Sequence, residues 1–193
     1  MRVAASLLAL LLSGSADERT GVKDLHNNVR RCMDEEVSAY TSHGWVALTK
    51  KAMWNATDVD RGLLYRLHEE EPSLSIYHTH PAECRLTHIV QHRSFVLPSE
   101  HDINNAIVGE TLFRMHHPTG AYAHRIVSLF GVTTISLTSE GHSYFADHWR
   151  ESETYARTWW SHVEPYTTKI LPIPSLIAIA NDAYICVEFT PYN

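Results

Sequence analysis

No stretch constrains this chain more than Ser75-Ile76-Tyr77-His78-Thr79-His80-Pro81. Its short apolar run reads as a strand, and Pro81 ends that strand because proline lacks the N–H a ladder needs. Side chains alternate along a strand, so His78 and His80 leave it on the same side. Two rings so placed can grip one metal ion. The commonplace alternative is a pair of solvated histidines, and His-x-His alone does not separate the two. The chain carries 14 His against 16 Lys plus Arg, which makes a search for further ligands worthwhile.

A second segment supplies one. Leu97-Pro98-Ser99-Glu100-His101-Asp102 reads as a helix start, with Ser99 as N-cap and Asp102 three residues on, in a position like that of a capping box. Residues three apart share a helix face, so Ser99 and Asp102 can point at one spot near the helix N-terminus. Plain capping explains both residues if the segment stands alone. Beside His78 and His80, Asp102 becomes a third ligand: two His, one Asp and a water form an open catalytic zinc site. The Ser99 hydroxyl then lies where a developing oxyanion needs a donor.

His78-Thr79-His80-Pro81 followed by Ser99-x-x-Asp102 resembles the JAMM motif of the MPN/JAB-domain zinc metalloproteases, over roughly residues 20–140. That motif opens with a Glu at the start of a strand. In Asp34-Glu35-Glu36-Val37-Ser38-Ala39-Tyr40, Glu36-x-x-Ala39 matches it, with Ala in place of the usual Gly. Glu36 is therefore the expected general base. Glu35 is the alternative, because neighbours on a strand point oppositely and only one can face the metal. The resemblance implies an α+β, mixed three-layer fold: an MPN/JAB-like, cytidine-deaminase-like sheet flanked by helices. It implies one Zn2+ held by His78, His80 and Asp102, with Glu36 moving a proton and Ser99 steadying an oxyanion. The reaction implied is hydrolysis of a peptide or isopeptide bond in a peptide or protein substrate, such as a ubiquitin-like conjugate or a cell-envelope peptide. The chain departs from the family in the 17 residues (82–98) between Pro81 and Ser99, a longer spacer than usual, read as an insertion at about 82–97. His88, His92 and His101 lie close enough in sequence to replace Asp102. Two other readings are a non-catalytic MPN-like scaffold and a histidine-rich metal-binding protein without hydrolysis. Scaffold members typically lose ligands, whereas Glu36, His78, His80, Ser99 and Asp102 are all present.

Met1-Arg2, the apolar run Val3–Leu12 and the small residues Ser13-Gly14-Ser15-Ala16 read as a signal peptide over 1–16, hence a secreted or periplasmic protein. Residues 17–193 then form a single domain, a length that buries a core without disulfide staples. Cys32, Cys84 and Cys186 are too few for a disulfide framework. The net charge of −6 argues against a nucleic-acid binder, and no apolar run reaches the length of a membrane span.

Along the chain, three- and four-residue apolar steps predict a helix over Thr20–Asp34, followed by strands at Val37–Tyr40 and Trp45–Leu48. Lys50–Arg61 reads as a connection. Gly62–Leu67 and Ser73–Tyr77 read as strands around a solvated turn, Glu69–Pro72. A helix from Ser99 to Gly109, strands His124–Phe130 and Val132–Leu137, a later helix through Val163 and a last strand Tyr184–Thr190 complete the pattern. Trp149, Trp159 and Trp160 are expected in the core. His116, His117, His142, His148 and His162 are expected at the surface or at helix ends.

Overall fold

The computed structural model describes residues 15–31, 34–53, 56–80, 97–167, 169 and 171–192. Most of the expected leader, and the expected insertion apart from Leu97, lie outside them. Helix α1 (Ala16–Arg30) starts at Ser15, whose hydroxyl accepts from Glu18 N at 3.0 Å. Strands β1 (Val37–Thr41) and β2 (Gly44–Ala47) follow as a hairpin. Its turn needs Gly44, at φ +110°, a backbone region that side-chain-bearing residues avoid.

The polar stretch expected as a connection forms a second hairpin, β3 (Thr49–Met53) with β4 (Ala56–Val59). The next expected strand is instead helix α2 (Arg61–Glu70). Asp60 caps it by accepting from Leu63 N at 3.0 Å, and Leu63, Leu64 and Leu67 recur at helical spacing to give it one apolar face. The expected solvated turn is only partly so: Glu71 is buried and accepts from Ser42 N and Oγ.

Strand β5 (Ser73–Thr79) carries the paired histidines. Helix α3 (Glu100–His116) runs two turns past the expected end at Gly109, and leads to β6 (Ala121–Val127) and β7 (Gly131–Leu137). The single late helix expected is two: α4 (Ser139–His148) and α5 (Ser152–Thr167), joined by a 3-10 turn over Trp149–Glu151. Trp159 is buried as expected, but Trp149 sits at the joint, 39% exposed. Helix α6 (Ile173–Ala180) and strand β8 (Ile185–Pro191) close the described chain.

The fold is mixed α+β, built on a six-stranded mixed sheet in the order β2-β1-β5-β6-β7-β8. β5 and β6 are parallel; the other neighbours in this sheet are antiparallel. A parallel pair requires a crossover, and α3 lies within it, so this helix is set against the sheet beside β5 and β6. Helices cover both faces. On one, Leu25 and Val29 of α1 pack on Tyr77, Val127 and Val132. On the other, Ile103, Ala106 and Ile107 of α3 pack with Ile126, Ile135 and Leu137, together with Phe145, Trp159 and Leu176 from the later helices. Among the described residues, no helix is long and apolar enough to cross a membrane.

Candidate metal centre

The register of β5 fixes the site. Val37 lies opposite His78 in the antiparallel β1–β5 pair, and Ile76 lies opposite His124 in the parallel β5–β6 pair. Directly opposed residues share a face, so His78, His80 and His124 all project toward α3, and Glu35 shares the parity of Val37. Asp102 reaches the same space from the first turn of α3. His78 Nε2 lies 3.0 Å from Asp102 Oδ1 and 3.0 Å from His80 Nε2, and His80 Nε2 lies 3.7 Å from Asp102 Oδ2. The structure thus brings together the three ligands named from sequence.

Asp102 meets both the helix end and the paired histidines. Ser99 N–H donates to its Oδ2 at 2.7 Å, while Asp102 N–H donates to Ser99 Oγ at 3.2 Å, completing a capping box. Capping and metal ligation, weighed as alternatives in the sequence, are compatible because the carboxylate has two oxygens. Ser99 also lines the cavity beside the histidines, and with its oxygen accepting from the helix its O–H remains available to donate.

Of the two glutamates, the structure turns Glu35 toward the cavity. Glu36 accepts from Asn28 Nδ2 at 3.1 Å, in a contact with the α1 segment, and is not among the residues lining the cavity. The sequence preference was for Glu36, with Glu35 as the alternative; of the two, Glu35 is the one that lines the cavity. A parity signal was present: Val37, Ala39 and Thr41 are the buried residues of β1, and Glu35 continues their alternation.

His124 was missed in the sequence. It is only 5% exposed, and neither ring nitrogen has a hydrogen-bond partner among the described residues. An unpaired buried polar group costs roughly 1–3 kcal/mol, which marks this ring as waiting for something. Its alternation with Tyr122 and Ile126, both facing the core, was the available signal. Ligand atoms of His78, Asp102 and His124 all lie within 4.8 Å of one another, forming a buried group positioned to bind a metal ion. The donor set suits a divalent transition ion: imidazoles with a carboxylate fit zinc and its neighbours better than the all-oxygen shells of calcium or magnesium.

The electrostatics agree. Burial disfavours charge on His78, but the Asp102 carboxylate overcomes it, with Glu35 adding, and holds His78 above its ordinary value. Burial pushes His80 down to about 4 against the pull of Asp102, and pushes His124 down to about 3 with help from His78. Both rings therefore stay neutral, the form that ligates metals. Burial opposes the Asp102 charge, yet His78 and His80 hold it well below the usual carboxylate range. Burial raises Glu35, with Asp102 adding to the shift and His78 opposing it. A carboxylate raised in this way is suited to taking and returning a proton.

The centre forms one end of a cavity of about 810 Å³ that continues between α2 and α3 over the sheet, past Leu64, His68, Gly109 and Tyr122. His101, one of the substitutes weighed for Asp102, lines the cavity without taking that place; His88 and His92 lie outside the described residues. Comparison with known protein families, curated proteins and solved structures yields no match to this chain.

Proposed function

We propose that this chain is a zinc-dependent hydrolase of peptide or isopeptide bonds, of the MPN/JAB type. The observation that carries the reading is the meeting of His78 Nε2, His80 Nε2 and the Asp102 carboxylate, with Glu35 on the same wall of an open cavity. His78, His80 and Asp102 would hold the ion. Bound zinc supplies Lewis-acid polarisation of a carbonyl and lowers the pKa of water from 15.7 to about 7. Glu35 takes the proton from the attacking water and later returns it to the leaving amine, acting as base and then acid. The Ser99 hydroxyl donates to the oxyanion that develops on the substrate carbonyl. The cavity between α2 and α3 takes the chain on one side of the scissile bond. The leader-like residues 1–16 favour substrates met outside the cytosol, such as cell-envelope peptides; a ubiquitin-like conjugate is the other class.

The test is metal content and turnover on the full chain. Purified protein should carry about one zinc and cleave fluorogenic peptide or isopeptide substrates. Glu35→Gln should retain the zinc and lose activity by roughly 10²–10⁴-fold, the usual range for a lost acid–base group. Protein that binds zinc and cleaves nothing would be the histidine-rich metal binder. Protein that binds no zinc would be the scaffold.

A further inference from the structure

We propose that His124 is a fourth protein donor, so that three imidazoles (His78, His80 and His124) and one carboxylate (Asp102) hold a single divalent transition-metal ion. This rests on the metal reading above and changes its ligand set. The resembled family uses two histidines and one carboxylate, and nothing in its motif reaches β6.

Three independent features point the same way. The parallel β5–β6 register sets His124 on the face of His78, with ring centroids 5.2 Å apart. Its ligand atom lies within 4.8 Å of those of His78 and Asp102. Bonds of about 2.0–2.2 Å put donors on one ion roughly 3.3–4.4 Å apart; His80 meets His78 and Asp102 but stands outside the group that includes His124, so its ring or that of His124 must turn inward for all four to share the ion. Finally, both of its nitrogens are buried and unpartnered among the described residues. A neutral imidazole offers one N–H and one lone pair, and neither is used here. Buried His68 differs in part, with Nδ1 2.7 Å from Leu64 O while its Nε2 is also unpartnered among the described residues, and His142 Nε2 lies 2.7 Å from Glu110 Oε1. The charged or titratable groups that act on His124 are His78, Asp102 and His80, the proposed ligands themselves.

An imidazole-rich set favours zinc, iron, nickel or copper over calcium and magnesium. With four protein donors, the water of the proposed hydrolysis would take a fifth position, as catalytic zinc sites can expand to accept. A fourth donor also makes the centre retentive: its removal should weaken binding by at least the 10–100-fold typical of losing a supporting residue around a metal.

The experiment follows imidazole nitrogens in wild-type protein labelled with 15N-histidine, by long-range 1H–15N correlation, while Zn2+ is added to one equivalent. One nitrogen from each of His78, His80 and His124 should shift together and saturate at one equivalent. In parallel, His124→Asn should lower zinc affinity at least tenfold in competition with a chromophoric chelator. The wild-type titration decides the matter even if that variant fails to fold. Movement of the His78 and His80 signals alone would overturn the role of His124 and leave the zinc reading standing. No histidine moving would remove both.

Discussion

At the scale of single residues, two adjacent glutamates make the sharpest contrast. Glu35 faces the cavity and Glu36 is held by Asn28. Glu36→Gln should therefore leave turnover within about twofold of wild type, whereas Glu35→Gln should lower it by roughly 10²–10⁴-fold; parallel kinetics on the two variants checks this. The motif resemblance pointed to Glu36, while the strand's own parity pointed to Glu35, and the geometry sided with parity. His124 was legible only in hindsight, since one histidine within a strand looks like many others until its neighbours in space are known. Its burial has a pH consequence in metal-free protein. Folded His124 stays neutral down to about 3, whereas the unfolded ring takes a proton near 6.5. The unfolded chain therefore binds more protons in between, and stability falls as pH drops. From pH 7 to pH 5 this one group costs about 2 kcal/mol. His124→Asn should lose that much less over the same interval, read from urea midpoints with chelator present.

At the scale of elements, helix α3 carries most of the design. Its N-terminus delivers Asp102, and its middle rests on the sheet at Gly109. A methyl there would overlap the Tyr122 hydroxyl. Gly109→Ala should cost about 1–3 kcal/mol by overpacking and should also weaken metal binding by displacing the helix; thermal melts and zinc titration measure the two effects. Further along α3, buried Glu110 accepts from Leu137 N at 2.9 Å and lies 2.7 Å from His142 Nε2, tying the helix to β7 and α4. Glu110→Ala leaves a buried amide unpaired and should destabilise by roughly 3 kcal/mol, checked by denaturant unfolding. The start of α3 was readable because capping chemistry is local: Ser99 and Asp102 declare it within four residues. Helix α2 was misread because its six-residue apolar core, Gly62–Leu67, suits either period at that length; Asp60 decides it by capping. The β3–β4 hairpin was missed because its sequence is polar, with little alternation to detect.

At the scale of the whole molecule, the sheet sorts the chemistry to one side. Tyr77 and Val127 face α1, while His78, His124 and Ile126 face α3. The donors come from β5, α3 and β6, which are brought together by the crossover that links the parallel pair β5 and β6. An ion held there binds the folded chain and finds no preformed site in the unfolded one. Zinc at a hundredfold excess over its dissociation constant should therefore add about 2.7 kcal/mol of stability, seen as a rise in the melting temperature that chelator reverses. The class of fold was legible from mixed helix and strand signals and from the paired histidines. Strand order and register were not, because pairing between segments dozens of residues apart leaves no mark in any single window.

The placement of Asp102 bears on how such a protein would age. Oδ2 serves the helix end and lies near His80, while Oδ1 meets His78. Were the proposed hydrolysis lost, a descendant would still need this aspartate to begin its helix, so the residue would outlast that role. Among the described residues, the rings at 78, 80 and 124 make no such tie to a helix end, and there decay would first be written.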